Sequence, residues 1–249
     1  MRRLLALFIL AASWLAASDV VDLHPPWDAS LLTSFNTGSA LDRSWGNRTP
    51  TTGAGVTFPA GYRTADFVGT STAVVSYPDN DQTESVPLTV CAWIRIDSYT
   101  SYRAILSDIT QSSSYEGWHF YYGPGISRGL AFGQTDSSVL PVVSSFKQTW
   151  TASGTLSAGT WYHVAATLDS LGATPILYIN GAAQSTTVNA IGTVSSLANS
   201  EPVRIGGSIG PDNASFHDGG IDDVRIYSTV KTANEIGAIY AERIGASRP

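Results

Sequence analysis

Residues 219–227, GGIDDVRIY, read as a β-strand close to the C-terminus. Successive side chains of an extended chain point to opposite faces. One face then carries Asp222, Val224 and Ile226, and the other Ile221, Asp223, Arg225 and Tyr227. Asp223 can face Arg225 and water. Asp222 shares the more apolar face, where an unpaired carboxylate costs several kcal/mol. It therefore needs a cation, a set of hydrogen-bond donors or a wet rim position.

The residues that follow, TANEIGAIYAERI (232–244), predict a helix. Thr232 and Glu235 have capping-box spacing, and Ile236, Ile239 and Tyr240 fall on one stripe. Upstream, short β-type runs alternate with Gly, Asn, Asp and Ser turns. TADFVGTSTAVVSYP (64–78) reads as strand, turn, strand. In GWHFYYGPGISRGLAFG (117–133), a hairpin, Trp118, Phe120 and Tyr122 share one face, and His119 and Tyr121 take the other. GTWYHVAATLD (159–169) places Tyr162, Val164, Ala166 and Leu168 toward a core. PILYINGAAQ (175–184) carries Asn180-Gly181, a strong hairpin signal. Residues 135–158 are Ser/Thr-rich and read as a long loop or an extra hairpin. Many short strands with frequent turns favour an antiparallel two-sheet sandwich over a βαβ fold.

Composition bounds the function. The chain has 249 residues, 43% hydrophobic and 14% charged, which suits one all-β extracellular domain. A net charge of −6 and only two lysines, Lys147 and Lys231, argue against nucleic acid and anionic membrane surfaces. MRRLLALFILAASWLAAS (1–18) has two arginines, a 14-residue apolar run and small residues before a cut. That run is too short to span a bilayer and matches a secretory signal. Residues 19–29 then form an extended lead-in, 30–243 the domain and 244–249 a tail. Cys91 is the single cysteine, so it is expected to be a small semi-buried residue without an intramolecular partner.

Several segments together resemble the laminin-G-like, concanavalin A-like lectin and glucanase jelly rolls. GGIDDVRIYSTVKTANEIGAIYAERI is similar to their closing strand and helix. DFVGTSTAVVSYP, PLTVCAWIRID, GTWYHVAATLD with LYINGAAQ, and PVRIGGS resemble earlier strands, in the same order. The likeness covers about 30–243 and departs at Lys231, where a leucine is usual, and at 135–158. It implies a jelly-roll sandwich with a short C-terminal helix. It also implies a structural calcium held by Asp222 with the Gly69 carbonyl, and Asp42 could add a carboxylate. The alternative for Asp222 is a set of backbone N–H groups or an arginine.

Catalysis finds little support in the residues. Jelly-roll glucanases need carboxylates paired on one strand, and none of the five glutamates has that spacing. The resulting expectation is a secreted noncatalytic module binding a glycan or surface polysaccharide. Its candidate contacts are His119 and Tyr121 on a sheet face, with Asp136 and Trp150 on the long loop. The alternative is a structural or virion- or cell-surface domain with a protein partner, and a glycoside hydrolase ranks last.

Overall fold

The computed structural model describes residues 31–36, 39–42, 48–59, 64–79, 83–99, 102–110, 115–123, 129–137, 145–208 and 215–244. The expected leader and lead-in lie outside these residues, as does the tail beyond Ile244. In chain order the strands are β1 (Leu31–Asn36), β2 (Ser39–Asp42), β3 (Thr51–Thr52), β4 (Val56–Thr57), β5 (Ala65–Val68) and β6 (Val75–Tyr77). Then come β7 (Leu88–Ile96), β8 (Arg103–Thr110), β9 (Tyr115–Tyr122), β10 (Leu130–Ser137), β11 (Phe146–Thr151) and β12 (Trp161–Leu168). The last are β13 (Ile176–Ile179), β14 (Ala182–Ala183), β15 (Thr186–Ile191), β16 (Val203–Ile205) and β17 (Asp218–Tyr227), followed by helix α1 (Ala233–Ile244).

These strands make two layers. A nine-stranded sheet runs β14-β13-β12-β7-β17-β1-β2, with β5 also on β17 and β4 on β5. An eight-stranded sheet runs β15-β11-β10-β9-β8-β16-β6-β3. Among the described residues every strand pairing is antiparallel. Period-2 alternation explains the layering. Leu88, Val90, Ala92, Ile94 and Ile96 of β7, with Val164, Ala166 and Leu168 of β12, meet Trp118, Phe120 and Tyr122 of β9 and Leu130 and Phe132 of β10 in one core. Each large side chain so buried contributes roughly 1.5–3 kcal/mol. The Asn180-Gly181 turn has φ of 50° and 79°, the left-handed pair that a two-residue hairpin requires.

The segment 135–158 takes its hairpin reading. β10 and β11 pair from Ala131↔Trp150 to Thr135↔Phe146. Trp150 therefore sits on a strand, not on a loop, and so does Asp136.

The closing strand departs from simple alternation. Its register on β7 shifts between Asp222 and Arg225, and Asp223 has φ of 49°. This β-bulge inserts one extra residue and changes which face the following side chains occupy. Ile221 and Val224 both reach the core. Asp222 lies opposite Trp93, on the outer face, because cross-strand partners share a face. The expectation that Asp222 shares a face with Val224 and Ile226 is thus corrected. Asp223 is also not in water. It is 5% exposed and receives Arg225 Nε and Nη2 at 3.0 Å each, while Arg225 Nη2 also donates to Glu242 at 2.9 Å.

Helix α1 covers this outer face. Ile236 and Ile239 pack on Cys91, Ala165, Tyr178 and Tyr227. Cys91 is fully buried rather than half-buried, and burial pushes its thiol up to about 12. The capping box is formed: Thr232 N–H donates to Glu235 Oε2 at 2.7 Å, and Glu235 N–H to Thr232 Oγ1 at 3.3 Å. Lys231, in the slot where leucine is usual, is 8% exposed and sets its ammonium 4.5 Å from the Tyr227 ring centroid. A cation over an aromatic face, with its aliphatic stem buried, fills an apolar place.

Candidate functional site on the outer face of the eight-stranded sheet

Cross-strand register organises the outer face of the eight-stranded sheet into rows. One row runs Ser107–His119–Gly133–Gln148, and its neighbour runs Ile109–Gly117–Thr135–Phe146. A third runs Ala104–Tyr121–Ala131–Trp150. Gly133 and Ala131 on β10 thus lie between bulky residues on β9 and β11, and Thr135 lies between Gly117 and Phe146. The result is a cleft of about 220 Å³, with Gly133 and Thr135 between the His119 and Tyr115 rings and the Phe146 and Gln148 side chains; Ile109 also lines it.

Gly133 is required here for space. A Cβ at that position would stand 2.2 Å from His119 Nε2, so the imidazole lies directly on the glycine backbone. Tyr121 meets the same ring edge-on, with centroids 4.5 Å apart. His119 Nε2 is buried without a hydrogen-bond partner. Burial lowers the imidazole to about 4, so it is neutral at physiological pH. Gln134 turns inward. Its amide donates to the Ala173 carbonyl at 2.7 Å and accepts the Gly172 N–H at 2.9 Å, tying β10 to the β12–β13 connection. The side chains facing the cleft are aromatic, aliphatic, hydroxyl or amide groups, which can hold a ligand with one apolar face and several polar groups.

Of the expected ligand contacts, His119 lines this cleft. Tyr121 and Trp150 share its face one row away. Tyr121 is only 7% exposed, flanked by His119 and by Tyr102 at 6.0 Å, so its face is not open. Asp136 does not join them. Its carboxylate accepts the backbone N–H of Ser195 at 3.0 Å and the Ser195 hydroxyl. Phe146, Gln148 and Tyr115 were missed by sequence reasoning. The alternation Phe146-x-Gln148-x-Trp150 was the signal that marks β11.

The three residues expected to hold calcium are not brought together. Gly69 follows Val68, which pairs with Asp218, so about 15 Å of strand separates Gly69 from Asp222. The Gly69 carbonyl accepts Arg103 Nη1 at 3.3 Å, a cation that opposes a second one there. Asp222 Oδ1 accepts the Asp223 N–H at 2.8 Å, at the bulge. Asp42 pairs with Thr33, itself opposite Val224, two strands from the closing strand; its side chain lies outside the described residues. These donors do not fit one calcium ion, which needs six to eight oxygens at one point. Among the described residues no cluster of three or more His, Cys, Asp or Glu side chains could hold a metal.

Two antiparallel layers, closed by a terminal strand and helix and bearing an aromatic-walled cleft on one outer face, define a lectin-type β-sandwich. The chain belongs to the concanavalin A-like lectin/glucanases superfamily, whose laminin G-type model matches residues 69–237. Among curated proteins none matches the sequence. Solved structures share the fold. The binding domain of Paraclostridial Mosquitocidal Protein 1 superposes with a TM-score of 0.66 at 14% identity, over 88% of this chain and 53% of that one. The receptor-binding domain of botulinum neurotoxin D gives 0.65 at 18% identity, over 88% and 53%. The botulinum neurotoxin serotype D ligand-binding domain in complex with N-acetylneuraminic acid gives 0.60 at 16%, over 88% and 52%. The chain therefore spans about half the length of these structures.

Proposed function

We propose that this protein is a noncatalytic glycan-binding module that takes a sugar in the cleft between His119 and Phe146. The observation that carries this reading is the cleft itself: about 220 Å³, with ring walls and an amide on the outer sheet face. A pyranose offers an apolar C–H face to such rings and hydroxyls to the Gln148 amide. The noncatalytic part rests on the same lining, because glycoside hydrolysis needs two carboxylates about the scissile bond and the described side chains facing the cleft are uncharged. The superfamily includes lectins, and the similar solved structures are binding domains. The apolar segment at residues 4–17 supports export, and no described helix is long and apolar enough to cross a membrane.

A glycan array with the purified protein tests the reading. Binding is expected, and loss of at least tenfold in affinity is expected for His119→Ala and Phe146→Ala with the fold retained by circular dichroism. Gly133→Ala, which pushes the His119 ring off its floor, behaves the same way. Release of reducing sugar from polysaccharides would instead restore the hydrolase. A second reading, a protein partner added as a strand, is favoured by one observation. Among the described residues β15 ends the eight-stranded sheet, carries no charge and exposes Val188 and Ile191 by 40% and 52%, and sheet edges invite pairing. Silence across the array, with capture of an extended peptide lost on Val188→Lys, supports that reading.

A further inference from the structure

We infer that the cleft selects an uncharged sugar ring and discriminates against acidic sugars, an inference that rests on the glycan-binding reading above. Four observations support it. The cleft is lined by Ile, Tyr, His, Gly, Gln, Thr and Phe side chains and backbone, with no cation and no anion among them. Its histidine is neutral, because burial holds the imidazole near 4. Lys147, between Phe146 and Gln148 on β11, points the other way by alternation. Its ammonium donates to the Gly172 carbonyl at 2.7 Å. Arg204, in the same row beyond Ser107, is 6% exposed and paired to Glu201 at 2.7 Å. No described cation therefore faces a carboxylate placed in the cleft, and the whole chain carries a net charge of −6.

A carboxylate entering such a site sheds water without gaining a partner, which is costly. A neutral ring loses only hydroxyl hydration, which the Gln148 amide can replace, while Thr135 Oγ1 already donates to the Ser145 carbonyl at 3.0 Å. The volume, about 220 Å³, is below the ~300–1,000 Å³ of pockets for drug-sized ligands. One ring fits, so selection acts on a single residue of a glycan. The ligand class thus differs from the N-acetylneuraminic acid found with one structural neighbour. That neighbour is longer than this chain, 88% of which covers 52% of it, and its likeness extends to the fold.

The test uses matched pairs: methyl glucoside against methyl glucuronide, methyl galactoside against methyl galacturonide, and N-acetylneuraminic acid alone. Each is titrated into the full chain, read by calorimetry and by NMR shifts of the His119 ring, and repeated on Gln148→Lys, which adds a cation. The expected result is a neutral member bound roughly tenfold or more tighter than its acidic partner, with Gln148→Lys narrowing that gap. Acidic sugars that bind as well or better while shifting His119 overturn the charge selection and leave the glycan-binding reading standing. Silence of every sugar at His119, with array binding also absent, overturns the glycan-binding reading and the selection with it.

Discussion

At the scale of single residues, the bulge at Asp222–Arg225 does two jobs. Asp223 adopts a left-handed backbone, which aspartate tolerates better than most residues, and its carboxylate binds Arg225 through two 3.0 Å contacts. The pair is buried, 5% and 4% exposed, so removing one partner strands the other. Arg225→Ala is expected to cost about 3–5 kcal/mol in denaturant melts. The double variant Asp223→Asn, Arg225→Met should recover most of that loss, because a buried pair replaced by well-packed groups is often neutral. Equal loss in the double variant would show that the bulge, not the charge pair, holds the strand. The adjacent carboxylates were legible as a difficulty in the sequence. The answer was not, because a bulge leaves the i, i+2 pattern intact on paper and moves side chains only when the strand pairs.

At the scale of elements, α1 acts as a lid on the outer face of the nine-stranded sheet. Its capping box was readable from Thr232 and Glu235, and both reciprocal bonds form. Thr232→Ala is expected to cost ~0.5–2 kcal/mol. Since Ile236 and Ile239 lie over the fully buried Cys91, the same substitution should speed labelling of that thiol by an aromatic disulfide reagent in native buffer. Unchanged labelling would mean that Cys91 is reached only by global unfolding. Strand β11 teaches the opposite lesson. Its Ser/Thr-rich surroundings left a long loop and an extra hairpin equally open, while Phe146, Gln148 and Trp150 obeyed strand alternation. Composition describes what a segment is made of; alternation describes what it can pair with.

At the scale of the whole molecule, buried ionisable groups set opposite limits on stability. His119 and His217 both titrate at about 4 in the folded chain, lowered by burial from 6.5. The unfolded chain binds their protons first, so they destabilise the fold as pH falls from 6.5 toward 4. Glu84 is raised by burial from 4.5 to about 8, and Asp108 from 3.8 to about 6. Asp108 accepts Thr83 Oγ1 at 2.5 Å and Asn199 Nδ2 at 3.1 Å. For these two the folded chain holds the proton longer, so stability falls as pH rises through 4.5 to 8 and 3.8 to 6. Glu84→Gln, which mimics the protonated acid, should stabilise the fold at pH 8 by on the order of 1–2 kcal/mol, read as a higher Tm, and leave Tm nearly unchanged at pH 4. An equal effect at both pH values would show that Glu84 is not the group titrating on the alkaline side. The sequence by itself determined the layer architecture, the core face of β12, the division of β9 into two faces, the Asn180-Gly181 hairpin and the capped helix, because each is a matter of local periodicity or local turn chemistry. Tertiary structure alone decided the face of Asp222, the company of Arg225, the parting of Gly69 from Asp222, and the cleft over Gly133. Those depend on register between strands far apart in the chain, and a one-residue shift in register, which no local pattern encodes, changes every neighbour.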